Sequence, residues 1–257
     1  MLDNEQFAQT LKELREKSPL VHNITNYVVM NNTANALLAV GASPVMAHAT
    51  EEVEDITTIS SSVVINMGTL SPKWVEAMEM AMEKANDLKK PIVFDPVGVG
   101  ASTYRTDTAL RIIDRYMPSV VRGNASEIMA LAQVSNSTKG VDSTTGSENA
   151  VHAAKELSKK LNSTIVVSGA TDYIVTGEQI DEVTSGSPLM AKVTGMGCTA
   201  TSIIGSCIAV NSHFHTASHH AMEIMGQAGN IAEKAANGPG SFQMNFIDAL
   251  HQVVEGK

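Results

Sequence analysis

The chain has 257 residues, 43% hydrophobic and only 4% aromatic, so its core must be built chiefly from Ala, Val, Ile, Leu and Met. Eighteen basic against 27 acidic residues leave a net charge of −9, which excludes a fold that grips DNA or RNA by phosphate neutralisation but allows a small phosphorylated ligand at a helix N-terminus or on a metal ion. Two cysteines exclude a disulfide framework, no run approaches the ~18 apolar residues of a membrane span, and the first residues lack a signal-peptide pattern, so a cytoplasmic protein is expected.

Phe7, Leu11 and Leu14 recur at helical spacing near the start. Four later runs are rich in Val and Ile and bounded by Gly, Pro or Asn: 63–67 (Val-Val-Ile-Asn-Met), 91–95 (Pro-Ile-Val-Phe-Asp), 120–122 (Val-Val-Arg) and 164–168 (Thr-Ile-Val-Val-Ser). Such runs predict strands covered on both faces. After the first of them, Ser71 suits a helix N-cap and Pro72 the first helical position, while Val75, Met78, Met82 and Ala85 share one face. Lys89 and Lys90 complement the negative end of that helix, and Pro91 stops it. A second helix is predicted over 147–162, with Val151, Ala154, Leu157 and Leu161 inward and Lys155, Lys159 and Lys160 on a solvated side. Residues 173–176 and 179–184, joined by Gly177 and Glu178, predict a hairpin that adds an antiparallel edge. From Thr199 onward the pattern is mostly helical. Strands joined by crossovers of more than ten residues require βαβ units. The expected fold class is α/β, a mainly parallel central sheet flanked by helices, in one domain over 1–257, since no linker, composition break or repeat divides the chain. The apolar stretch 36–40 suits either the core or a subunit interface.

Ligands of open parallel sheets collect beyond the carboxyl ends of the strands. The residues there are small or polar: 66–69 (Asn-Met-Gly-Thr), 95–98 (Asp-Pro-Val-Gly), 122–127 (Arg-Gly-Asn-Ala-Ser-Glu) and 168–170 (Ser-Gly-Ala). Asp95 and Glu127 are the two carboxylates at or near such ends. They suit Mg2+, which keeps most of its waters and takes one or two carboxylates plus ligand phosphates. Each also has a plainer reading, Asp95 as a turn cap and Glu127 as a first-turn acid. The sharpest segment is 193–202 (Val-Thr-Gly-Met-Gly-Cys-Thr-Ala-Thr-Ser). There the amides of Gly195, Met196, Gly197 and Cys198 stand bare at a helix start, forming an anion hole fit for a phosphoryl group in transfer. Gly195, Gly197 and Ala200 partly match a dinucleotide fingerprint, but the acidic residue that reading needs about 20 positions on is absent, and no P-loop segment exists. His213, His215, His219 and His220 read as solvated or capping residues rather than a metal site, and Cys207 reads as core.

In combination, 22–26 (His-Asn-Ile-Thr-Asn), 94–101 (Phe-Asp-Pro-Val-Gly-Val-Gly-Ala), 122–127 and 193–198 closely resemble the hydroxyethylthiazole kinase family of thiamine salvage, and the resemblance runs from Pro19 to about Asp248. It implies a ribokinase-like fold and a homotrimer with active sites at subunit interfaces. It also implies ATP-dependent, Mg2+-assisted phosphorylation of the hydroxyl of 4-methyl-5-(2-hydroxyethyl)thiazole. By the same resemblance, Arg122 and Ser168 bind the nucleotide, Met46, Gly195, Asn26 and Gly68 bind the thiazole, and Asp95 and Glu127 organise the metal through water. The residue chemistry is compatible: Arg122 offers a planar fork to phosphate oxygens and Met46 a polarizable wall to a flat heterocycle. Cys198 stands where the wider sugar-kinase pattern has Asp. A free thiol titrates near ~8.5, so Cys198 is expected to be a usable but imperfect base, aided by a helix N-terminus that depresses its pKa. The alternatives sharing this pocket are a kinase of another small alcohol or sugar, and a non-catalytic small-ligand binding protein. Only a kinase needs Asp95, Glu127, the anion hole and a base together.

Overall fold

The computed structural model describes residues 3–135 and 146–256. The chain opens with α1 (Asn4–Lys17), β1 (Leu20–Ile24), α2 (Met30–Ala39), β2 (Ser43–Val45) and α3 (Val53–Ile59). There follow β3 (Ser62–Asn66), α4 (Pro72–Asp87), β4 (Ile92–Asp95), α5 (Thr103–Tyr116), β5 (Val120–Asn124) and α6 (Ala125–Ser135). After α7 (Gly146–Leu161) come β6 (Thr164–Ser168), β7 (Asp172–Thr176) and β8 (Gln179–Val183). A 3-10 turn (Pro188–Lys192) then leads into α8 (Met196–Val210), α9 (Phe214–Ala235) and α10 (Pro239–Glu255).

The strands form one sheet in the order β2-β1-β3-β4-β5-β6-β7-β8. Pairings from β2 through β6 are parallel, while β6-β7 and β7-β8 are antiparallel, so the predicted hairpin does make the edge. Alternate side chains feed two cores. Val63 and Ile65 face the layer of α3 to α7, and Val64 faces that of α1, α2 and α8 to α10. Burying each such side chain fully stabilises the fold by roughly 1.5–3 kcal/mol.

Local signals act where expected. Ser71 Oγ accepts from the Trp74 amide at 3.4 Å with Pro72 opening α4, and Val75, Met78, Met82 and Ala85 are all buried. In α7 the buried face is Ala150, Ala154, Leu157 and Leu161, with Val151 at its margin. Residues 36–40 prove to be mostly core, with Leu38 turned outward. Cys207 is fully buried in the core. α8 lies tight on the sheet: a Cβ at Gly205 would stand 2.5 Å from Val64 Cγ2, and Ser62 Oγ donates to the Gly205 carbonyl at 2.8 Å. This contact fixes where α8 begins, over the strand ends.

Two features differ from the sequence expectation. β1 is an interior strand, paired on both sides, although it carries His22 and Asn23, both buried. His22 Nδ1 meets Thr57 Oγ1 at 3.0 Å and Nε2 meets the Ala47 carbonyl at 2.7 Å, and Ser202 Oγ donates to Asn23 Oδ1 at 2.9 Å. The histidines of α9 are not solvated caps. Only His213 is exposed, whereas His215, His219 and His220 are buried beneath β7, β8 and α1. His215 bridges Thr176 Oγ1 and Asp181 Oδ2, each at 2.9 Å, and His220 Nδ1 meets Thr10 Oγ1 at 2.9 Å, so these rings serve as polar cross-links between layers.

Candidate functional site

The strand order reverses at β1, which lies between β2 and β3, and an open α/β sheet leaves its ligand crevice at such a reversal. The carboxyl ends of β1, β3, β4, β5 and β6 all point toward the start of α8. Register brings Asn66 beside Asp95 and Asn124 beside Ser168.

Asp95 is the centre of a buried polar network. Its Oδ2 accepts from Asn66 Nδ2 and from Thr201 Oγ1, both at 2.7 Å, and lies 3.8 Å from Arg122 NH1. Asn66 Oδ1 in turn accepts from Asn26 Nδ2 at 2.8 Å and from the Gly68 amide at 2.9 Å. Asn26 Nδ2 also reaches Cys198 Sγ at 3.5 Å. Gly68 is required here, because a Cβ would collide with the Asn26 side chain. Asn26, Gly68, Asp95 and Cys198 are thus brought together. Asn66 and Thr201 were missed, because one closes a strand and the other sits inside an apolar helix. Their position beside Asp95 in register and one turn beyond Gly197 was the available signal.

Burial pushes the Asp95 carboxyl up to about 6, against the pull of the Arg122 guanidinium. The Cys198 thiol also moves up, through burial and the nearby Asp95 charge, against hydrogen bonds from Asn66 and Asn26. This corrects the expectation of a depressed thiol: desolvation and a neighbouring carboxylate outweigh the helix N-terminus.

Gly195 precedes α8 as its N-cap, in the left-handed region at φ 85°, and no side chain caps the helix. Arg122 is pressed against this start. A Cβ at Gly197 would lie 2.5 Å from Arg122 NH1, so glycine leaves the guanidinium room to lie against the helix in this position. Arg122 NH2 donates to Ser168 Oγ at 2.5 Å, while its buried Nε has no partner. These residues line a cleft of ≈ 650 Å³ whose walls include Gly195, Met196 and Gly197, the Met222 and Gly226 face of α9, and the 3-10 turn. Asp172 lines it too, its Oδ1 accepting from the Gly169 amide at 2.9 Å; burial pushes this carboxyl up to about 6. Met46 directly follows β2, half-buried, and stands outside that lining.

Glu127 does what its plainer reading demands. Asn124 Oδ1 accepts from the Glu127 amide and Glu127 Oε2 from the Asn124 amide, each at 2.9 Å, a reciprocal cap on α6. Its Oε1 accepts from the Gly98 amide at 2.9 Å. Each oxygen keeps a second lone pair for water. Among the described residues no three His, Cys, Asp or Glu side chains converge on one point, so no all-protein metal cage exists there. Asp95 Oδ1 is buried without a partner, and Glu127 is near enough to raise the Asp95 carboxyl. This donor set fits a hydrated Mg2+ held through water and phosphate.

The model of the hydroxyethylthiazole kinase family matches residues 11–256. A hydroxyethylthiazole kinase of Leptospira biflexa is 54% identical over 245 residues, covering 95% of this chain and 92% of its own. The solved hydroxyethylthiazole kinase of Pyrococcus horikoshii is 42% identical, with a TM-score of 0.90 over 96% of this chain and 93% of its own. A ribokinase-like superfamily protein of Enterococcus faecalis, 14% identical, superposes with a TM-score of 0.69 over 100% of this chain and 91% of its own, which extends the likeness of fold. Among the described residues no helix is long and apolar enough to cross a membrane.

Proposed function

The chain belongs to the hydroxyethylthiazole kinase family, with a ribokinase-like fold, and on that premise we propose that it transfers a phosphoryl group from ATP to the hydroxyl of 4-methyl-5-(2-hydroxyethyl)thiazole in thiamine salvage. The observation that carries the reading is the meeting of Arg122, Asp95 and the uncapped start of α8 at the boundary between the 650 Å³ cleft and the Asn26–Asn66–Gly68 cluster. Arg122 and Ser168 take the nucleotide phosphates on the cleft side. Asn26, Gly68 and Gly195 place the alcohol on the other, with Met46 against the heterocycle. A phosphoryl group in transfer carries its charge on equatorial oxygens, and the amides of Gly195 to Cys198 with the Arg122 fork face that charge. Asp95 and Glu127 would hold a magnesium ion through water; when bound, it neutralises phosphate charge.

Cys198 accepts the hydroxyl proton as a minority thiolate, since its pKa lies above the usual thiol range. Positioning and charge stabilisation therefore carry most of the acceleration. We propose that one catalytic domain acts in the cytoplasm as a homotrimer with the alcohol sites at subunit interfaces. In support, Tyr27 and Val28, next to Asn26, are 64% and 68% exposed, and apolar exposure beside a site marks a partner surface.

A coupled ADP-release assay with ATP, Mg2+ and the thiazole alcohol tests the reaction. Turnover that depends on the alcohol is expected, and light scattering on the same sample should weigh three chains. ATP binding without alcohol-dependent ADP release would leave only a binding protein.

A further inference from the structure

Arg105, in the first turn of α5, has been given no role above. Its guanidinium donates to three backbone carbonyls: NH1 to Met67 at 2.5 Å and to Val97 at 2.7 Å, and NH2 to Gly68 at 2.9 Å. Met67 and Gly68 belong to the loop leaving β3, and Val97 to the loop leaving β4. A strand-end carbonyl outside the sheet ladder needs a partner, and one planar fork with five donors supplies partners to both loops at once. An ammonium gathers its three donors on one atom and lacks the reach of the fork.

Both loops are also held from the opposite side. Asn66 Oδ1 accepts from the Gly68 amide and Glu127 Oε1 from the Gly98 amide, each at 2.9 Å. Gly98 adopts φ 74°, and a Cβ there would lie 3.2 Å from Arg105 Cδ, so the turn and the approach of Arg105 call for the same residue.

We infer that Arg105 is a positioning residue: it sets the distance between the Gly68 loop and the loop that follows Asp95, and so governs the fit of the alcohol. This rests on the reading of the alcohol site given above. Arg105 takes no part in lining the nucleotide cleft, so its loss should weigh more on the alcohol than on ATP.

The test compares Arg105→Ala and Arg105→Lys with Arg111→Ala, which removes a positive charge from the exposed side of the same helix, where Arg111 pairs with Glu79. For Arg105→Ala, kcat/KM for the alcohol should fall about 10²-fold, chiefly through KM, as expected for a misplacement near 1 Å. KM for ATP should stay within about twofold. Arg105→Lys should lose about tenfold, because it bridges fewer carbonyls. Added guanidinium ion should restore part of the alanine variant's alcohol KM, while Arg111→Ala should match the wild type. An alcohol KM unchanged in Arg105→Ala, or both KM values rising together without rescue, overturns the inference. Should the alanine variant fail to fold, the KM split in Arg105→Lys decides in the same way. Wild-type protein that leaves the alcohol unmodified removes the functional reading as well, whereas wild-type turnover with an indifferent Arg105 removes this inference alone.

Discussion

The two ends of the candidate site are built differently. On the β5–β6 side a single chain closes most of a cleft, with Arg122, Ser168, the start of α8 and the face of α9 as walls. On the β1–β3 side Asn26 and Gly68 are fixed from within by Asn66 and Arg105, while Tyr27 and Val28 stand exposed beside them and Met46 is only half-buried. On the function proposed, the charge-handling half is built within one chain, whereas the half that would take the alcohol lies open beside exposed apolar side chains.

The strongest way to break this division is Arg122→Ala. It removes the fork from the anion hole and leaves Asp95 buried without its cation, so kcat/KM should fall about 10³-fold. Binding of the thiazole alcohol alone, followed by calorimetry, should change little. Loss of alcohol binding to the same degree would mean that the two ends are not separable.

Asp95 sits on the boundary. Asp95→Asn should lower kcat about 10²-fold. In the wild type, activity that needs the ionised carboxylate should decline as pH falls through about 6, the position to which burial pushes this group. Because the folded chain holds that proton when the unfolded chain has released it, Asp95 lowers stability progressively as pH rises from about 4 to about 6, and no further above. Asp172, pushed to the same region, belongs to the nucleotide cleft. Asp172→Asn should keep the acidic limb of kcat/KM, whereas Asp95→Asn should lose the limb near 6 and leave only the steady rise with pH that a thiolate base gives in the same assay.

The smallest effect is expected at Cys198. A thiol held above its usual range is a poor base at neutral pH, so Cys198→Ala should lower kcat by only about tenfold with nucleotide binding intact. Cys198→Asp should retain or exceed wild-type kcat. Steady-state rates of the two variants decide, and an aspartate variant as slow as the alanine one would remove the base role.

What the sequence disclosed, and what it hid, follows from which partner each residue uses. β3, β4, β6, α4 and α7 were legible because apolar spacing and caps are local signals. The Gly-x-Gly start of α8 was legible for the same reason, since bare amides follow from chain geometry. β1 was hidden: His22 and Asn23 look like loop residues until Thr57 and Ser202 satisfy them from 35 and 179 positions away. The α9 histidines were misplaced likewise, their partners Thr176, Asp181 and Thr10 lying on other elements. Arg105 was invisible because its partners are carbonyls, which no residue letter records.

That tie between Asn23 and Ser202 has a consequence for how the molecule comes into being. During synthesis from the N-terminus, the second strand of the finished sheet order emerges long before the hydroxyl that its amide oxygen needs in the interior. Some four-fifths of the polypeptide must leave the ribosome before this strand can be buried at no polar cost. The first strand made is therefore among the last to have its buried polar group satisfied.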